Sequence, residues 1–242
     1  MNVNDELIHV FIGYDSRQAV LYNIAQHSII QRCSAPVAIT PIKLEHVHKI
    51  FNRPRLSNQS TEFSISRFLT PFLRGYQGWA IFIDCDVIVR ADLAELWALR
   101  DDRYAVQCVK HDHQPTATVK FLGEQQTRYE KKNWTSVMLM NCAKCTALTP
   151  EYVNTASGLE LHQFKWLESD DLIGEISRDW NFLVEYYKHD EAAKLVHYTE
   201  GGPFYEATQN VDFADAWLQE YRSANSSGDS DFAALTERAK RG

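Results

Sequence analysis

Trp79-Ala80-Ile81-Phe82-Ile83-Asp84-Cys85-Asp86-Val87-Ile88-Val89 decides how the chain is read. A run of apolar, mostly β-favouring residues that meets two acids separated by one residue reads as a buried strand delivering two carboxylates to its C-terminal edge. That edge is where open α/β sheets place their ligands. For Asp84 and Asp86 to share one ligand, the chain is expected to turn between them or one acid to act through water. Hard oxygen donors suit magnesium or manganese, which take one or two carboxylates and leave other positions to substrate phosphates. The stretch points to a metal–diphosphate site. The alternative is two acids that end a strand in solvent, so the flanking sequence has to choose.

Immediately upstream, residues 61–73 place Ile65, Phe68, Leu69 and Phe72 on one helical side, with a kink or break expected at Pro71. Arg67 lies beside that seam, where a guanidinium could reach a diphosphate. Further back, residues 7–12 read as a first buried strand closed by Gly13-Tyr14-Asp15-Ser16, and residues 17–30 as a helix capped by Asp15 or Ser16. This order aims the Tyr14 ring, the Asp15 carboxylate and a helix N-terminus at the edge where a nucleotide could lie. No Gly-x-Gly-x-x-Gly follows the strand, which disfavours a dinucleotide fold. Between the two, residues 37–40 read as a strand and 43–60 as an ordered loop, with His46 and His48 on a solvent-exposed strand face.

Downstream, residues 91–97 read as a short helix, 104–109 as a strand and 135–141 as a core strand. Leu148-Thr149-Pro150-Glu151 carries the cap and proline of a new helix. The polar segment 111–132, with His111, His113, Lys120, Arg128, Lys131 and Lys132, is expected to be a loop or lid. Glu168, Asp170 and Asp171 precede an apolar turn, either favouring a helix N-terminus or supplying a carboxylate at a reacting sugar. Residues 194–205 read as a strand ending in His197, followed by Gly201 and Gly202, whose backbone could approach a phosphate closely. A helix over 213–221 closes the expected domain, 1–224, before a polar linker and tail, 225–242.

Composition removes several classes. A chain of 242 residues, 45% hydrophobic, has enough apolar material for one sizeable domain. A net charge of -7 argues against a general nucleic-acid binder. No apolar run reaches membrane-span length, and residues 1–12 lack a basic stretch followed by a long apolar core, so the cytoplasm is the expected location. Five cysteines, an odd number, fit reduced thiols, and Cys142-Ala143-Lys144-Cys145 has no second pair to make a zinc site.

The order Gly13-Tyr14-Asp15, Ser66-Arg67-Phe68, Phe82-Ile83-Asp84-Cys85-Asp86, residues 136–141, Asp170-Asp171-Leu172 and His197 to Phe204 resembles retaining nucleotide-sugar glycosyltransferases of the glycogenin and bacterial lipopolysaccharide galactosyltransferase kind. The resemblance implies an α/β fold: a single-domain glycosyltransferase A type, GT-A, with a mixed, mostly parallel sheet flanked by helices. It implies transfer of a hexose from a nucleotide-diphosphate sugar, often UDP-linked, to an acceptor hydroxyl with retention. Asp84, Asp86 and His197 become ligands of Mn2+ or Mg2+. Tyr14, Asp15, Asp84, Cys85, Gly201 and Gly202 fall at the nucleotide side, Arg67 near the donor phosphate or sugar, and Asp170 nearest the reacting carbon. The chain departs from the family pattern in having Gly202 where a lysine usually precedes the Pro-aromatic pair, Trp134-Thr135-Ser136 where Asn-Ala-Gly is common, and Glu168-Ser169-Asp170 near a frequent Asp-Gln pair. A metal-dependent sugar nucleotidyltransferase, or a sugar-nucleotide or glycan-binding module without catalysis, are the other two readings.

Overall fold

The computed structural model describes residues 7–56, 59–112 and 130–226. Strand β1 (Ile8–Gly13) lies between β2 (Val37–Ile42) and β3 (Trp79–Ile83), parallel to both. A right-handed crossover of this kind needs a connecting helix, supplied by α1 (Ala19–Arg32) after a single 3₁₀ turn, Ser16–Gln18. Every residue of β3 is buried, as its unbroken apolar run requires of a strand covered on both faces. After β2 the chain forms α2 (Leu44–Val47), which carries His46 exposed with His48 just beyond it, so the expected strand face there is a short helix. The expected helix over 61–73 is a 3₁₀ turn, Ser66–Leu69, running into α3 (Thr70–Leu73). Pro71 opens α3 instead of kinking a longer helix, a position where its missing N–H is not needed.

The strand expected to deliver Asp84 and Asp86 at its C-terminal edge is followed, after the turn, by a second strand. β3 ends at Ile83, the chain bends at Cys85 and Asp86, and β4 (Val87–Val89) belongs to a different sheet. Next come α4 (Leu93–Trp97), capped by the Asp92 carboxylate, β5 (Val106–Cys108) and β6 (Val137–Asn141). Then follow α5 (Pro150–Thr155), with Thr149 as its cap, α6 (Gly158–His162), β7 (Ile173–Glu175), β8 (Phe182–Leu183), β9 (Leu195–His197) and α7 (Ala214–Ala224).

The main sheet has six strands in the order β2-β1-β3-β6-β5-β7. Because β6 is antiparallel to both β3 and β5, and β7 is parallel to β5, five strands share one direction and β6 alone opposes them. The smaller sheet, β4-β9-β8, packs Ile88, Phe182 and Val196 with Leu21 and Ile24 of α1 and Trp217 of α7. Glu220 fastens α7 to α1 through His27 Nδ1 at 2.5 Å and Arg32 at 2.6 Å.

All five cysteines are free thiols; Cys142 and Cys145 are buried, and burial pushes Cys142 up to about 12, which removes thiolate chemistry. Of the polar segment 111–132, His113, Lys120 and Arg128 lie outside the described residues. So do residues 227–242, most of the expected linker and tail.

Candidate active site

Asp84 is the last residue held by the main sheet, its N–H donating to the carbonyl of Ser136 at 2.9 Å, while Asp86 accepts on its carbonyl from the N–H of Tyr198 at 2.9 Å and so opens the smaller sheet. The residue between them, Cys85, is wholly buried and its thiol donates to Oε1 of Gln18 at 3.2 Å. The register Val87 opposite His197 then sets the imidazole beside the two acids. One ligand atom from each of Asp84, Asp86 and His197 lies within 4.8 Å of the others.

The three are not held alike. Arg67 Nη1 is 2.8 Å from Asp84 Oδ1 and donates to the carbonyl of Thr135 at 2.9 Å. Its guanidinium is packed against the rings of Phe63 at 5.3 Å and Phe82 at 5.1 Å, an arrangement in which a weakly hydrated planar cation keeps its charge when buried. Nε2 of His197 lies 3.2 Å from Asp86 Oδ1, and Nδ1 donates to Oδ1 of Asn181 at 2.9 Å. Burial alone would lower the His197 imidazole, but the carboxylates of Asp86 and Asp84 outweigh it and raise it. Asp86 Oδ1 is buried without a hydrogen bond of good geometry. Two carboxylates and an imidazole, with a buried acceptor oxygen left over, form a donor set that fits a divalent cation of the manganese or magnesium type.

Above them is a cavity of about 390 Å3 lined by Asp84, Asp86, Arg67, His197 and Gly201 together with Lys132, Thr135, Ser136, His162, Arg53, Gln59 and Ser60. Sequence reading missed most of these walls, because their residues are ordinary polar types scattered over loops. Asn181, between Trp180 and Phe182, is the clearest omission; one amide amid buried aromatics is the signal that it would need a partner.

Other expected site residues are placed differently. Asp15 is wholly buried and accepts four hydrogen bonds: from the N–H and Nε of Arg17 on Oδ1, and from Nη2 of Arg17 and the N–H of Glu62 on Oδ2. Burial would raise it, but these bonds hold it below the usual carboxylate range. Its lone pairs are engaged, and it fixes the 59–62 segment that forms the cavity rim. Tyr14 packs edge-on to Tyr22 at 5.2 Å under Lys43, outside the cavity wall. The N–H of Gly201, at φ 119°, is used by the carbonyl of Tyr198 at 3.0 Å. Gly202 is tucked under Leu21 so closely that a Cβ would come within 2.8 Å of it. Asp170 does not join the cluster: its side chain is 67% exposed, its carboxylate is held by Lys131 Nζ at 2.6 Å, and it is absent from the cavity wall.

A family model described as "Glycosyl transferase family 8" matches residues 22–203. Protein CDI of Arabidopsis thaliana is 48% identical over 225 residues, covering 89% of this chain and 86% of that protein. The chain belongs to glycosyl transferase family 8. As a member of that family it is a glycosyltransferase, which decides against a nucleotidyltransferase and against a module without catalysis. Among solved structures, the bifunctional glycosyltransferase WbbM matches with TM-score 0.60 and 17% identity over 92% of this chain and 50% of that one. GlyE of Streptococcus pneumoniae matches with TM-score 0.58 and 12% identity over 98% of this chain and 64% of that one. The galactosyltransferase LgtC, solved with donor and acceptor sugar analogs, matches with TM-score 0.58 and 11% identity over 92% of this chain and 98% of that one. The chain thus spans half of WbbM and nearly all of LgtC, and at these identities the likeness carries the GT-A fold of the family 8 chain and nothing more.

Proposed function

We propose that this family 8 enzyme transfers a hexose from a UDP-linked sugar to an acceptor hydroxyl, with retention at the anomeric carbon, and that Asp84, Asp86 and His197 hold a manganese or magnesium ion for the donor. The observation that carries the reading is the convergence of those three side chains, from two sheets, on the floor of one cavity. A bound divalent cation would supply Lewis-acid stabilisation of the charge that grows on the departing diphosphate. The residues around it do the rest. Arg67 holds the Asp84 carboxylate in place at 2.8 Å, and its buried guanidinium lines the space a diphosphate would fill. Lys132, a buried residue of the same lining, is assigned to the diphosphate in place of the family lysine that Gly202 replaces.

Asp15 is assigned to building the rim, since its oxygens are taken, and Tyr14, Cys85, Gly201 and Gly202 to shaping the nucleotide side by packing and close backbone approach. Asp170 is not given a catalytic part, because its carboxylate is exposed and paired away from the cavity. The acceptor is assigned to the lining residues Arg53, Gln59, Ser60 and His162, where a hydroxyl-bearing ligand would meet both donors and acceptors. Free thiols support action in a reducing compartment, the cytoplasm; among the described residues no helix is long and apolar enough to cross a membrane. The test is hydrolysis of a panel of UDP-sugars with and without Mn2+, followed by an acceptor screen on the accepted donor. Metal-dependent release of UDP from one or a few sugars is the expected result. Metal-independent turnover, or none with any UDP-sugar alongside turnover of another nucleotide class, would reverse the assignment.

A further inference from the structure

Asn181 is wholly buried between two imidazoles. Its Oδ1 is 2.9 Å from Nδ1 of His197, and its Nδ2 is 2.9 Å from Nε2 of His111, 2.9 Å from Oγ of Ser136 and 3.3 Å from the carbonyl of Asn133. The polarity of this chain of contacts follows from its fixed end. The Ser136 hydroxyl donates to the Asn133 carbonyl at 2.6 Å, so it turns a lone pair toward the amide, and a carbonyl oxygen can only accept. The side of Asn181 facing them must be the NH2. The side facing His197 must then be the oxygen, because the reverse orientation would set oxygen against the Asn133 carbonyl. An amide oxygen accepts, so Nδ1 of His197 carries a proton. In the neutral ring that leaves the lone pair on Nε2, the nitrogen beside Asp86. The other amide hydrogen makes His111 Nε2 an acceptor, and His111 Nδ1 donates onward to the Tyr187 hydroxyl at 2.6 Å.

This matters because Asp86 pulls the opposite way. With no metal present, a proton on Nε2 would be attracted to the carboxylate 3.2 Å away, and that tautomer cannot ligate a cation. We propose that Asn181, its amide locked by Ser136 and Asn133, is a positioning residue that selects the His197 tautomer able to bind a divalent cation. The proposal rests on the metal reading given above. Asn181 touches neither donor nor ion in this assignment; it acts through the ring of His197.

Manganese titrations followed by electron paramagnetic resonance on the full chain separate the two ideas. Wild type should bind Mn2+ and His197→Ala should lose it. Asn181→Leu, branched alike at Cγ but unable to accept, should bind about 10- to 100-fold more weakly. Asn181→Asp still accepts from Nδ1, but its second oxygen faces the Asn133 carbonyl and is tolerated only if Ser136 turns its hydroxyl from that carbonyl to the carboxylate, so it should recover part of the affinity lost in Asn181→Leu. Wild-type affinity in Asn181→Leu, with binding lost in His197→Ala, would overturn the tautomer proposal and leave the metal site standing. Equal losses in Asn181→Leu and Asn181→Asp would also overturn it, as the signature of a packing role. Unimpaired binding in His197→Ala would remove the metal reading itself, and this inference with it. Should Asn181→Leu not fold, long-range proton–nitrogen correlation spectra of metal-free wild type, recorded at a pH where the ring is neutral, decide: the proton of His197 is expected on Nδ1, and a proton on Nε2 overturns the proposal while leaving the metal site standing.

Discussion

Arg67 Nη1 lies 2.8 Å from Oδ1 of Asp84, with 6% and 13% of the two side chains exposed. A pair this deeply buried contributes little over an apolar substitute, but losing one partner leaves a stranded charge. Arg67→Ala should therefore lower the unfolding free energy by about 3–5 kcal/mol. Arg67→Lys should recover only part of it, since an ammonium cannot serve Asp84 and the Thr135 carbonyl in one plane. Urea denaturation midpoints check both. A loss under about 1 kcal/mol in Arg67→Ala would mean that the pair is exposed to solvent far more than its packing shows.

Asp86 offers a buried oxygen without a good hydrogen bond. Chelation with EDTA should stop UDP-sugar turnover and Mn2+ should restore it. Asp86→Ala should lower turnover on the order of 10²-fold or more while circular dichroism stays native. The melting temperature of wild type should rise with added Mn2+ because binding favours the native state, and that of Asp86→Ala should not.

Asp170 is on the surface beside Lys131. Asp170→Asn should change turnover by no more than about two-fold and stability by less than about 1 kcal/mol, the range for an exposed ion pair. Initial rates at saturating donor check it, and a fall of 100-fold would return this carboxylate to the reaction.

His189 supplies a pH dependence remote from the cavity. Hydrogen bonds to Asp212 and then Glu191 raise its imidazole above the ordinary value of 6.5. A raised folded-state value means that its contribution is fully present below 6.5 and is lost as pH climbs through the folded value. The melting temperature of wild type should exceed that of His189→Gln at pH 5.5 and converge with it at pH 9. The opposite trend would show that the pairing is not formed.

Gly13 closes β1 against the ring that supports Arg67. A Cβ there would stand 2.3 Å from Cγ and Cδ2 of Phe63, so Gly13→Ala should destabilise by about 1–3 kcal/mol through overpacking. Donor KM should rise as Phe63, and the guanidinium on it, are displaced. Equal stability of Gly13→Ala and wild type would show that Phe63 has room to move.

The sequence pattern locates most strands because each is a short apolar run bounded by polar turns, and it picks out Asp84, Asp86 and His197, which the fold brings together, because two acids and one imidazole sit at strand ends. It ends the strand at the two acids and expects a turn there, but does not reveal that residues 87–89 join a different sheet; only the partners on either side, Ser136 and Tyr198, show the change of sheet. Asp15 shows a second limit. A cap acid and a ribose-binding acid look identical until Arg17 and Glu62 are seen to occupy its oxygens. Asp170 shows a third, since an acidic cluster gives no hint of which acid faces a cavity built from segments far away in the chain. Asn181 carried only the signal that it would need a partner, because an amide acquires its meaning from the four groups that surround it in space.

The bend at Cys85 and Asp86 gives the proposed ion a mechanical part. Asp84 ends one sheet, while Asp86 and His197 begin and end strands of the other, so a cation between them would rivet the seam. Sliding of one layer over the other would widen or narrow the ligand spacing directly. Catalytic readiness in this enzyme would then be a property of how two layers are clamped together, and slower amide exchange around Val87 and Val196 on adding Mn2+ would be its signature.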